Sequence, residues 1–190
     1  MKAKKRKNFL AIAAPSGGGK TTLCKMLLDK YQDFVLSVSF TSRKPRGNEK
    51  NGEDYFFINH DKFKEMIDAD DFVEWAVVHD NYYGTSKSFL QEKVKQGKII
   101  LLDIDVQGVK SIKRIYGEEA VSVFVMPPDM KVLEKRLRER NTESEEKILK
   151  RLETAKKELI EAGAFDFRIT NSQLKDAFAE LCKIVETGFY

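Results

Sequence analysis

The chain is short of the features that would cross-link it, anchor it in a membrane or leave it unfolded. It has two cysteines in 190 residues, Cys24 and Cys182, far apart and in stretches of helical spacing. That excludes a disulfide framework and a zinc site, and suits a reducing cytoplasm. No apolar run is long: Phe9 to Pro15 is too short for a signal-peptide core or a membrane span, so no membrane role is expected. There is no internal repeat and no low-complexity tract. The two histidines, His60 and His79, read as surface or satisfied residues. A one-sided charge is missing as well, since 34 Lys and Arg against 30 Asp and Glu leave only +4, which suits an anionic small ligand without requiring nucleic acid. Part of that excess sits in the opening run Met1 to Lys7, read as a solvated tail, with a polynucleotide contact as the alternative. Disorder is excluded by 42% hydrophobic residues, and the length suits one domain.

Five apolar runs predict buried strands: Phe9 to Ala14, Phe34 to Ser39, Ile99 to Asp103, Val121 to Met126 and Phe167 to Asn171. Helical spacing separates them, as in Leu23, Leu27 and Tyr31, or Val109, Ile112 and Tyr116 before Gly117 as a C-terminal cap. The class is therefore α/β, with a mostly parallel five-stranded sheet flanked by helices. Two regions interrupt the alternation. Thr41 to Thr85 is polar and aromatic, with strand-like pieces at Tyr55 to Ile58 and Phe72 to Val78. Pro127 to about Gly163 holds two charged helices, the second opened by a capping box at Thr142 and Glu145 and striped by Ile148, Leu152, Ala155 and Leu159.

Directly after the first strand stands Ala14-Pro15-Ser16-Gly17-Gly18-Gly19-Lys20-Thr21, followed by Thr22 and an amphipathic helix. This order is that of a nucleotide-binding P-loop. The glycines let backbone N–H groups turn towards phosphate, Lys20 reaches the β- and γ-phosphates, and Thr21 offers a hydroxyl to Mg²⁺. The first position usually holds Gly, so Ala14 must keep a negative φ. The interrupting region then offers Arg43, Arg46, Tyr55 and Tyr83, two guanidinium forks and two phenols, the donors a small phosphate monoester needs.

The motifs APSGGGKT, SRKPR, NGEDYFF, FVEWA, NYYGTS and LLDIDVQG, followed by an arginine-bearing helical segment, closely resemble the guanylate kinase family, from the P-loop to about Asn171. The resemblance implies a P-loop kinase core (about 8–37, 88–127 and 159–190), an inserted mixed α+β GMP-binding lobe (about 38–87) and a helical lid (about 128–158), closing over ATP and GMP. It implies phosphorylation of GMP, and of dGMP, by Mg²⁺ and ATP. Arg43, Arg46, Tyr55 and Tyr83 would hold the GMP phosphate, while Ser39, Glu74, Thr85 and Asp105 would surround guanine. Guanine presents N1–H beside an exocyclic amine, and one carboxylate accepts from both, whereas AMP would leave Glu74 unpaired. Trp75 is expected in the core, Phe40 beneath the lobe, and Glu49 either orients Arg46 or is a solvated loop charge.

Arg136 and Arg140 stand four residues apart on one predicted helix, so they share a face, and Arg151 lies on the next helix. All three match phosphate-binding positions of the family, where cations cover the charge of the transferring phosphoryl. Arg138 does not, and reads as surface charge. Asp103, at a strand's C-terminal end, would either hold a water of the Mg²⁺ shell or steer Lys20, and it joins the GMP set with Asp105. Asn171 matches a residue near the adenine of ATP. No general base is needed, because the attacking GMP phosphate oxygen is already ionised. Two other readings stay open: a protein-binding module that has lost catalysis, and a kinase of sugar phosphates on a similar core. A monomer and a homodimer are equally compatible with the sequence.

Overall fold

The computed structural model describes residues 6–78, 80–139 and 144–190, without the Val78 side chain. In chain order it contains β1 (Phe9–Ala13), α1 (Lys20–Lys30), β2 (Phe34–Leu36), β3 (Phe40–Thr41), β4 (Phe56–Phe57), α2 (His60–Asp68), β5 (Phe72–Val78), β6 (Asn81–Ser86) and α3 (Lys87–Lys95). Then follow β7 (Ile99–Asp103), α4 (Val106–Tyr116), β8 (Ala120–Met126), α5 (Met130–Glu139), α6 (Glu145–Glu161), β9 (Phe167–Thr170) and α7 (Leu174–Phe189).

Five strands form one sheet in the order β2-β7-β1-β8-β9, each neighbouring pair parallel. Every residue of β1 is buried, because its alternate side chains enter cores on opposite faces. Leu10 and Ile12 pack with Leu23 and Leu27 of α1 and with Leu181 and Val185 of α7. Phe9, Ala11 and Ala13 pack with Leu90 of α3 and with Val109 and Ile112 of α4. Gly117 ends α4 at φ +54, as its sequence position predicts. Cys24 and Cys182 are buried and unpaired, and burial pushes the Cys24 thiol up to about 12, so it stays protonated.

A second sheet, β4-β3-β6-β5, is mixed: β3 runs parallel to β4 and antiparallel to β6, which pairs antiparallel with β5. Here β3 and β6 are strands that the polar sequence did not announce. Phe40 stacks on Phe56 at 4.7 Å between centroids and meets Phe72 at 6.0 Å, which gives it a packing role. Trp75, expected in the core, is 47% exposed. It lies near Tyr82, on which Phe63 of α2 stacks, but β5 is an edge strand, and Phe63 reaches only its first residue, Phe72, at 4.4 Å between centroids.

Helices α5 and α6 have an apolar seam of their own, formed by Leu133, Leu137, Ile148, Leu152 and Ala155. The anticipated capping box is replaced at α6: Ser144 is the N-cap, without a side-chain cap bond, and Thr142 lies outside the described residues, as does His79. Arg138 is exposed and pairs with Glu134 and Glu145, as a surface charge should. Of the basic N-terminal run, residues 1–5 lie outside the described part. Arg6 donates to the Gly97 carbonyl at 2.9 Å and Lys7 to the Glu118 carbonyl, so the run ends fastened to the core. Among the described residues no helix is long and apolar enough to cross a membrane.

Candidate active site

Parallel strands leave their C-terminal ends on one edge, and ligands of such sheets bind there. The register that sets Ile12 beside Asp103 brings the loop after β1 next to the end of β7. Residues 14–19 turn sharply between β1 and α1: Gly17 and Gly19 have φ +90 and +93, and the Gly18 N–H donates to the Pro15 carbonyl at 2.8 Å. Among the described residues the positive-φ non-glycine positions are Asp70 and Asp80, so Ala14 keeps the negative φ its methyl requires. Residues 14–22 line a chamber of about 480 Å³, together with Leu36, Ser37, Ser39, Asp54, Tyr55, Asp103 and Glu158. Lys20 ion-pairs with Asp103 at 2.5 Å and donates to the Ile104 carbonyl at 2.9 Å. Thr21 donates its hydroxyl to the other oxygen of Asp103 at 3.4 Å.

A second chamber, about 350 Å³, adjoins the first. Ser39, Tyr55, Glu74, Ala76, Tyr83, Gly84, Asp103, Ile104 and Asp105 line it, and Ser39, Tyr55 and Asp103 belong to both. Cross-strand pairing places Thr85 opposite Glu74, whose Oε1 accepts the threonine hydroxyl at 2.7 Å. Burial raises the Glu74 carboxyl above the usual range; the Thr85 hydrogen bond opposes this and the nearby Asp105 charge adds to it. Asp105 caps α4, accepting from the Gly108 N–H at 2.7 Å, so one of its oxygens is committed to the backbone. Burial also raises the Tyr55 phenol, with Tyr83 adding and Arg43 opposing, which keeps it a donor at neutral pH.

The structure brings most of the sequence candidates to this cleft, with instructive exceptions. Arg43 and Arg46 line neither chamber. Arg43 is buried, at 5.3 Å from the Tyr55 ring, and both of its terminal nitrogens reach Glu49 at 2.9 Å. That pair holds the Glu49 carboxyl below the usual range. Glu49 therefore orients Arg43, whereas Arg46 contributes its backbone N–H at 2.7 Å and leaves its side chain exposed. Asn171, matched to a position near adenine, is only 4% exposed and faces neither chamber. Its Nδ2 supports the loop from beneath, donating to the Gly18 carbonyl at 2.8 Å. Arg136 donates to the backbone carbonyl of Asn171 at 2.9 Å, Arg151 donates to the Ser16 hydroxyl, and Arg140 lies outside the described residues.

Sequence reasoning missed Ser37, Asp54 and Glu158 in the first chamber. For Glu158 the signal was available, because it stands seven residues after Arg151 on α6 and so shares its face. Among the described residues no group of three or more His, Cys, Asp or Glu could hold a metal. What the chamber does present is a sparse pair of hard oxygen donors, Thr21 at the start of α1 and Asp103 at the end of β7. That fits Mg²⁺, which keeps waters and binds chiefly through substrate phosphates rather than in an all-protein cage.

A guanylate kinase family model matches residues 6–188. The chain belongs to the guanylate kinase family. It is 44% identical to a guanylate kinase of Prochlorococcus marinus subsp. pastoris over 97% of this chain and 100% of that protein. With a guanylate kinase of Caldanaerobacter subterraneus subsp. tengcongensis it shares 40% identity, over 97% of this chain and 89% of the other. The crystal structure of guanylate kinase from Anaplasma phagocytophilum superposes with a TM-score of 0.76 at 30% identity, covering 98% of this chain and 88% of that one. Guanylate kinases are transferases that phosphorylate GMP to GDP with ATP.

Proposed function

We propose that the two chambers hold the two nucleotides of the family reaction, ATP along residues 14–22 and GMP beside Glu74, with their phosphates meeting near Asp103. The reaction is the ATP-dependent phosphorylation of GMP to GDP, a step of purine nucleotide metabolism, and the cytoplasm is its setting. The observation that carries the assignment is the shared wall: Ser39, Tyr55 and Asp103 line both chambers, so two bound phosphate chains converge without a barrier between them.

In the acceptor chamber, Glu74 receives N1–H and the exocyclic amine of guanine, and the Thr85 hydroxyl fixes the carboxylate for both bonds. Ser39 and Asp105 complete the surround of the base. Tyr55, Tyr83 and Arg46 donate to the GMP phosphate, joined by Arg43, whose buried Nε has no protein partner. Recognition rests on base and phosphate, so dGMP is a second acceptor. An ionised oxygen of the GMP phosphate attacks the γ-phosphorus of ATP in line; the new P–O bond forms as the bond to the β-phosphate oxygen breaks, and ADP leaves with that electron pair.

No base is required. Lys20 exchanges Asp103 and the Ile104 carbonyl for donor phosphate oxygens, and the loop amides hold the remaining charge. Arg136, Arg140 and Arg151, from a lid spanning about 128–158, cover the equatorial oxygens of the transferring phosphoryl. Closure of that lid and of the lobe at about 38–87 excludes water from the donor. Thr21, and Asp103 through a water, would hold the Mg²⁺ that accompanies ATP, and that ion would supply charge neutralisation at the donor phosphates.

A screen of GMP, dGMP, AMP and ribose bisphosphate, following ADP and the phosphorylated product, tests the assignment. GMP and dGMP are expected to turn over, with AMP slower by about two orders of magnitude or more, as an unpaired buried carboxylate demands. Comparable rates with AMP would remove Glu74 from recognition. No product from GMP would favour a binding module that has lost catalysis.

A further inference from the structure

Among the described residues the donor chamber is lined by one cationic side chain, Lys20, and three carboxylates, Asp54, Asp103 and Glu158, an odd balance for a site that accepts a polyanion. Two of the three are engaged. Asp103 is matched by Lys20 at 2.5 Å, and Asp54 accepts the backbone N–H of Lys50 at 2.8 Å. Glu158 enters from α6, two helical turns beyond Arg151, which itself touches Ser16 of the loop. The helix therefore presents a cation and a carboxylate to the same loop from one face.

We propose that Glu158 sets the preference of the donor chamber for the metal complex of ATP over the metal-free nucleotide. The inference rests on the chamber holding ATP, as proposed above. Loop amides and Lys20 attract any phosphate chain; a half-buried carboxylate facing the same space repels a chain in proportion to its uncompensated charge. Metal-free ATP carries about four negative charges and its Mg²⁺ complex about two, so the repulsion falls on the free form. Glu158 is placed to feel this field: burial raises its carboxyl above the usual range, Lys20 pulls it back and Asp105 adds to the rise. In this role it is a specificity determinant for the donor and touches no reacting atom.

Equilibrium binding of ATP, measured by calorimetry with excess EDTA and again with excess Mg²⁺, tests the proposal on the full chain. Glu158→Gln and Glu158→Ala are expected to tighten metal-free ATP about five- to tenfold and the Mg²⁺ complex, with about half the charge, only about two- to threefold. Glu158→Asp, which keeps the charge, retains the wild-type ratio of the two affinities, as does Glu153→Gln at an exposed position of the same helix. Thermal melts confirm that each variant is folded. An unchanged metal-free affinity in both charge-removing variants overturns the proposal, and so does an equal change in both forms of the nucleotide. Wild-type protein that binds ATP in neither form would instead sink the assignment of the chamber to ATP.

Discussion

The two chambers of the cleft are built by different means. The donor chamber comes mainly from nine consecutive residues, 14–22, whose backbone forms the binding surface. The acceptor chamber is assembled from side chains of β5, β6, the segment before β3, the loop before β4 and the end of β7, so its specificity resides in pairs such as Glu74 with Thr85. A backbone site recognises a charge pattern that many nucleotides share, whereas a side-chain site reads the edge of one base. Substitutions should therefore affect the two chambers differently: turnover in the first, acceptor affinity in the second.

The largest effect is expected at Lys20, the one cationic side chain lining the donor chamber among the described residues. Lys20→Ala should lower kcat by about 10²- to 10³-fold, as losing a preorganised group at the transferring charge does, with GMP affinity nearly unchanged. Steady-state kinetics with both substrates varied would show the contrast, and a selective rise in the KM for GMP would break it.

Next comes Glu74→Gln, which replaces a charged acceptor with an amide that cannot accept from both guanine donors. The KM for GMP should rise about 10- to 100-fold, with the KM for ATP unaffected. Glu74 also gives the acceptor chamber a pH signature. Because burial holds its carboxyl above the usual range, the free enzyme protonates Glu74 at a higher pH than an exposed glutamate protonates. Guanine binds the ionised form, so the KM for GMP should climb as pH falls, starting above the ordinary carboxylate range, and Glu74→Gln should flatten that dependence. Folding carries the opposite sign: a raised native value means that the native state holds the proton more tightly, so Glu74 favours the unliganded fold more at low pH and less as pH rises through the native value. Melting temperatures against pH should lose that component in Glu74→Gln.

The smallest effect is expected at Thr85→Val, which removes the hydroxyl at 2.7 Å and keeps the shape. Losing one orienting hydrogen bond should raise the KM for GMP about three- to tenfold and push the Glu74 carboxyl further up, extending the pH dependence to higher pH. If Thr85→Val matched Glu74→Gln in size, the hydroxyl would be contacting the base directly.

The same contrast explains what could be read before the structure was known. Runs such as Ile99 to Asp103 are buried on both faces and announce themselves as strands, and the P-loop is legible because one continuous segment carries all of its chemistry. The second sheet was not legible as a sheet. The piece β3 is two residues long, too short for any periodicity, and β6 contains Gly84, which ordinarily weakens a strand. That glycine is required by packing: a Cβ there would stand 2.9 Å from the Phe72 ring and 3.0 Å from the Phe63 ring. Trp75 misled for a related reason, since size and hydrophobicity do not reveal which strand lies at an edge. Glu49 was placed in the phosphate loop, but its choice of Arg43 over the Arg46 side chain depends on how the loop turns, which spacing does not specify.

Asn171 ties two separate elements to one point. Its amide grips the Gly18 carbonyl, its own carbonyl receives Arg136, and a methyl group on Gly19 would fall 2.2 Å from its Nδ2. The end of β9 is thus a common anchor for the loop after β1 and for Arg136 of α5. Lengthening the chain by a single residue just before Asn171 would dislocate both together, although neither is its neighbour in sequence.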